Sequence, residues 1–100
     1  MSLQKLEIII SNTYLEELVN HLEEVGVQGY TALEITRGKG ARKGEHLSDG
    51  LLPTSRSTLL ISLVTEEMVD EIFDDLHKYI NERNGVLFTV PVLRFMGIKE

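Results

Sequence analysis

The residues best suited to chemistry in this chain lie together in "RGKGARKGEHLSDG", Arg37 to Gly50. Arg37, Lys39, Arg42 and Lys43 alternate there with Gly38, Gly40 and Gly44. Glycines let a backbone come close to a ligand, and lysine and arginine neutralise phosphate oxygens, arginine through a two-pronged guanidinium. The placement of charge sharpens this. Residues 37–56 hold five of the ten Lys and Arg, including Arg56, against only Glu45 and Asp49, so this segment carries +3 in a chain of net −6 and leaves −9 elsewhere. An acidic chain is a poor ligand for the phosphate backbone of nucleic acids, and no nucleic-acid partner is expected. A short glycine-lysine run also occurs in many flexible loops, so two readings stay open from these residues: a solvated loop kept soluble by its charges, or a loop that meets phosphate.

The remaining candidates are weaker. His21, His46 and His77 are far apart in sequence and lack the short spacing of metal-ligand motifs, and there is no cysteine, so no metal is expected. The acidic pairs Glu16/Glu17, Glu23/Glu24, Glu66/Glu67 and Asp74/Asp75 flank apolar stripes and read as solvated helix faces. No nucleophile elbow is present, and Glu45 and His46 are the only groups near the cationic stretch that could act as a base; the chain reads as a non-enzyme. The absence of cysteine fits a reducing, cytoplasmic setting, and no apolar run approaches the ~20 residues of a membrane helix. At 100 residues the chain forms one domain, 1–100.

Periodicity supplies the elements that position the cationic stretch. Lys5 to Ile10 alternates as a strand; Leu15, Leu18, Val19, Leu22 and Val25 form a helical stripe, with a capping box at Thr13 and Glu16 and a terminating glycine at Gly26. Gly29 to Ile35 reads as a second strand running into the stretch, which spans 37–56 as a long loop, and Ser57 to Val64 as a third. A second helix follows, capped by Thr65 and burying Met68, Val69, Ile72, Phe73, Leu76 and Ile80. Gly85 to Phe95 reads as the last strand, where Pro91 marks an edge or a bulge. The order predicts an α+β fold: a ferredoxin-like βαββαβ sandwich with a four-stranded antiparallel sheet and both helices on one face. The uncovered face, with Ile9, Tyr30, Ala32 and part of Thr58 to Val64, is more apolar than a solvated face should be, which favours self-association.

At this point "EEVGVQGYTALEITRGKGARKGE", "VTEEMVDEIFDDL" and "GVLFTVPVLRF" together resemble the PII signal-transduction superfamily over most of the chain, with "VG" closing helix one and "GYT" opening strand two. The long loop stands where that family has its T-loop. The resemblance implies a homotrimer that binds an adenine nucleotide, whether AMP, ADP, ATP or cyclic AMP, in clefts between subunits and controls a target transporter or enzyme through the T-loop. It also implies a cytoplasmic protein that is recruited to a membrane when its target is a transporter.

Carried over position by position, Thr31 matches a threonine near the adenine, and Gly38, Gly40, Lys43 and Gly44 match the loop's glycine and lysine positions. Gly38 to Gly40, with Lys39, would lie by base and ribose, and Arg42, Lys43 and Lys99 by the phosphates. Arg42 stands where nitrogen-type members place glutamine and where carbon-related PII-like members place an arginine, so the chain is closer to the latter, which ties it to bicarbonate or other transport. Gly85 matches the last glycine of the phosphate-gripping B-loop, but Val86 replaces its lysine, and Gly97 and Lys99 replace two cleft arginines. Those losses disfavour a magnesium-bound triphosphate and favour fewer phosphates. The loop has no tyrosine, so control by uridylylation is not expected. The similarity to the CutA copper-tolerance trimers is weaker, since those lack the glycine-cation loop; it implies a metal-tolerance or structural protein as the alternative.

Overall fold

The computed structural model describes residues 2–38 and 56–97. Strand β1 is Leu3–Ser11, where side chains at alternate positions face the same way and put Leu6, Ile8 and Ile10 into the core. The chain then turns through a 3₁₀ segment, Asn12–Tyr14, into helix α1, Leu15–Val25. The expected capping box at Thr13 and Glu16 is absent because the turn intervenes. Ser11 caps instead, its Oγ accepting from Thr13 N at 3.3 Å, and the residue before α1, Tyr14, makes no side-chain cap. Gly26 ends α1 as expected, at φ 119°, with its N–H shared between the Leu22 and Glu23 carbonyls.

Strand β2 is Thr31–Ile35, shorter than expected because Gly29 and Tyr30 belong to the crossing from α1. Strand β3 is Ser57–Thr65 and helix α2 is Glu66–Glu82, with Thr65 as the cap: its Oγ1 accepts from Met68 N at 3.3 Å. Strand β4 is Val86–Pro91, shorter than the Gly85 to Phe95 span expected, and 92–97 follows it without strand pairing. The sheet is antiparallel in the order β2-β3-β1-β4, with both helices on one face, the ferredoxin-like arrangement. Pro91 ends an edge strand, where its missing N–H costs no ladder bond.

The core lies between the sheet and the helices. Leu6, Ile8, Leu60 and Val64 meet Leu18, Leu22, Ile72, Leu76 and Ile80, and a fully buried aliphatic side chain contributes about 1.5–3 kcal/mol relative to an exposed one. Two hydroxyls enter this apolar layer with partners: Thr58 Oγ1 donates to Asn12 Oδ1, and Ser62 Oγ donates to the Gly29 carbonyl at 2.5 Å. Phe73, expected in the buried stripe, is 39% exposed because it sits at the stripe's margin beside β4.

The other sheet face is apolar, and register corrects its membership. Ala32 pairs with Leu60 and so points to the helix side, while Tyr30 precedes the strand. The open face is instead Leu33 and Leu59, Ile9 and Val86 in one row, and Thr31, Ile61 and Phe88 in another. Leu33 and Val86 are 48% and 49% exposed. Lys5 and Glu7 form the one charged pair on this face among the described residues, at 3.3 Å.

Candidate functional site

The unequal strand lengths create the site. β2 covers the edge of β3 only from Ser57 to Ile61, so no described strand pairs with that edge from Ser62 to Thr65. The segment from Gly26 to Tyr30 crosses this gap and leaves an open groove of about 700 Å³. Ile61, Leu63, Val64 and Met68 line it with hydrocarbon, and Lys5, Ser62, Thr31 and Thr65 give it polar points. The Ser62–Gly29 hydrogen bond pins the crossing segment, and a Cβ at Gly29 would meet nothing within 4 Å, so this backbone stands open. An apolar slot with a few fixed polar groups suits a flat, partly polar molecule.

Of the residues picked from sequence, Thr31 lines this groove. Gly38 and Gly85 do not. Gly38 follows Ile35, whose strand partner is Ser57, and Gly85 packs on Ile9 and Ile10, so both lie at the opposite end of the sheet. The separation from Thr31 to Ile35 alone is about 13 Å at about 3.3 Å per residue. Gly85 is also held by packing: a Cβ there would sit 3.0 Å from the Ile9 carbonyl oxygen and 3.2 Å from Ile80 Cγ2. Lys39, Gly40, Arg42, Lys43 and Lys99, with His46, lie outside the described residues.

Sequence reasoning missed Lys5, Ser62 and Met68 as groove residues. The alternation of β1 puts Lys5 on the face opposite Leu6, Ile8 and Ile10, but nothing local marks any of the three for the groove, which depends on where β2 stops. The loop's base is visible at its ends: Arg56 pairs with Glu34 at 3.4 Å across the β2–β3 neck, and the Arg56 carbonyl accepts from Asn12 N at 2.6 Å.

Near the Gly85 end, a polar cluster joins the two helices. Tyr79 OH donates to Glu17 Oε1 at 2.7 Å, the Arg83 guanidinium lies 3.8 Å from the Tyr79 ring centroid and 5.2 Å from that of Tyr14, and Arg83 Nη1 donates to the Tyr79 carbonyl at 3.1 Å. His21 is half-buried and packs its ring edge-on against Tyr79, the centroids 4.7 Å apart and the planes tilted by 60°. Burial, then the bond to Glu17, pushes the Tyr79 phenol up to about 12. Asn84 follows at φ 58°, a left-handed turn that asparagine tolerates, and delivers Gly85 to β4.

A split-βαβ sheet with helices on one face defines the ferredoxin-like class of small α+β domains, here with an edge groove and a long cationic connection between β2 and β3. The family model of the nitrogen regulatory protein P-II matches residues 3–100, and the chain belongs to that family. Among solved structures, CPII of Thiomonas intermedia K12, a nitrogen regulatory PII-like protein bound to ADP, AMP and bicarbonate, is similar at 26% identity and TM-score 0.76 over 98% of both chains. The form of CPII bound to ADP and bicarbonate is 30% identical at TM-score 0.72, over 94% of this chain and 91% of that one. A PII-like signaling protein of Thermus thermophilus shares the fold at 21% identity and TM-score 0.72, over 92% of this chain and 88% of that one.

Proposed function

We propose that this protein is a regulatory module, not an enzyme, that assembles as a homotrimer in the cytoplasm and binds an adenine nucleotide between its subunits. The observation that carries this reading is the separation of the site's halves: Thr31 and the groove lie at one end of the sheet, Gly38 and Gly85 at the other. One chain offers a slot for a base but sets Gly38 and Gly85 at the other end of the sheet; two chains side by side would bring both halves together. The apolar open face is the surface such an assembly would cover.

The adenine would enter the groove against Ile61, Leu63 and Val64, with Thr31 and the uncovered β3 edge offering hydrogen bonds to its rim. Gly38, Lys39 and Gly40 would approach base and ribose, Arg42, Lys43 and Lys99 would neutralise phosphates, and Gly85 would bring the turn after α2 close. With Val86 in place of a lysine, AMP or ADP fits better than a magnesium-bound triphosphate. That CPII binds ADP, AMP and bicarbonate supports this choice. Contact with the ligand would favour one arrangement of loop 37–56 over others, and so switch its display to a target transporter or enzyme, bicarbonate uptake among them; such a shift requires different affinity for the two arrangements.

Calorimetric titration with AMP, ADP, ATP and cyclic AMP, with and without bicarbonate, tests the reading. ADP or AMP should bind, and Arg42→Ala should weaken ADP about tenfold or more, as loss of a charge-assisted contact does. Absence of heat and of thermal stabilisation with every nucleotide sinks it.

A further inference from the structure

We propose that two hydroxyls of β3 are positioning residues for the ligand, one for each half of its site: Ser62 for the groove and Thr58 for the neck of loop 37–56. Alternate residues of β3 face the helices, and Thr58, Leu60, Ser62 and Val64 are all buried there. Packing gives no reason for a hydroxyl at two of these positions, since alanine or valine fills such space without a polar atom to satisfy. Each hydroxyl is explained instead by what it holds, and neither partner belongs to the sheet or to α1 or α2.

Ser62 Oγ donates to the Gly29 carbonyl at 2.5 Å. Gly29 lies in the crossing segment that walls the groove, between Val27, whose N–H is donated to the Leu22 carbonyl at 2.9 Å, and Thr31, where strand pairing begins. The bond therefore fixes how far this wall stands from Ile61 and Leu63, and with it the width of the slot. Thr58 acts at the other end. Its Oγ1 donates to Asn12 Oδ1, and Asn12 N donates to the Arg56 carbonyl at 2.6 Å. Thr58 is also the cross-strand partner of Glu34, which pairs with the Arg56 guanidinium at 3.4 Å. One buried hydroxyl thus closes a ring of contacts around Arg56, where the loop rejoins the sheet. The two hydroxyls stand four residues, about 13 Å, apart on one strand, the same distance that separates the groove from the loop's base.

This inference rests on the reading that an adenine nucleotide binds with its base in the groove and its phosphates by the loop, and the experiment separates the two. Adenosine probes the groove alone and ADP both halves, adenosine being read by competition against ADP. Ser62→Ala should weaken adenosine and ADP alike, by about fivefold, the size of one net hydrogen bond. Thr58→Val, which keeps the side chain's shape, should weaken ADP by a similar factor and leave adenosine unchanged, and Thr58→Ser should restore ADP. Thermal unfolding followed by circular dichroism runs on each variant. A parent chain that binds neither ligand overturns the nucleotide reading and this inference with it. With a parent that binds ADP, the inference alone is overturned if adenosine does not compete, if neither variant changes affinity, or if Thr58→Val loses both ligands together. A variant that fails to fold makes its hydroxyl a requirement of the core and overturns that residue's assignment to the site.

Discussion

At the scale of single residues, two glycines in this chain do opposite things. Gly29 faces open space in the groove, whereas Gly85 is wedged against the backbone of β1. Gly85→Ala should therefore destabilise the fold by about 1–3 kcal/mol, since a carbonyl oxygen at 3.0 Å yields only if the backbone shifts. Gly29→Ala should change stability by less than about 0.5 kcal/mol. Urea denaturation of both variants checks the pair, and equal midpoints would contradict it. The family resemblance assigns Gly85 to phosphate; the structure adds a packing reason for a glycine at that position whatever ligand binds.

Among the elements, the junction of α1 and α2 holds the one strongly shifted group among the described residues. The Tyr79 phenol titrates near 12 in the fold and near 10 when unfolded, so the fold prefers the protonated form. The stability this contributes is fully present below pH 10 and is lost as pH rises from 10 to 12. Tyr79→Phe should flatten that part of the stability profile, measured as denaturation midpoint against pH, and a profile unchanged from the parent would contradict the assignment. Arg83→Lys should cost about 1 kcal/mol at neutral pH, because an ammonium keeps the charge but loses the guanidinium's close approach to the Tyr79 ring and its Nη1 hydrogen bond to the Tyr79 carbonyl. Most elements were legible beforehand, since apolar spacing and the caps Gly26 and Thr65 are local signals. The ends of β2 and β4 were not: Tyr30, Val92, Leu93 and Phe95 are as apolar as strand residues, and only the position of neighbouring strands decides where pairing stops. For the same reason the groove was half legible. Thr31 could be picked from a motif, while Lys5 and Met68 join it only because β2 is short.

For the whole molecule, the open sheet face sets the expectation. Leu33→Asp, directly beside Leu59, should leave the helix-side core untouched and reduce the assembled mass to that of a single chain. Sedimentation velocity reads the mass and circular dichroism the fold; a folded variant of undiminished mass would locate assembly elsewhere. If nucleotide binds between copies, the same variant should lose ADP binding while keeping every groove residue. A last consequence concerns ageing. Asn84 precedes Gly85, and an asparagine–glycine bond is prone to deamidate when the glycine nitrogen attacks the asparagine side-chain carbonyl and closes a succinimide ring. Here that nitrogen's hydrogen is donated to the Ile80 carbonyl at 2.9 Å, and the left-handed turn at Asn84 is fixed by the helix end before it. The fold thus acts as a chemical preservative for the turn it forms. Any change that loosens the end of α2 should shorten the protein's shelf life, seen as isoaspartate accumulating at Asn84 before any loss of secondary structure.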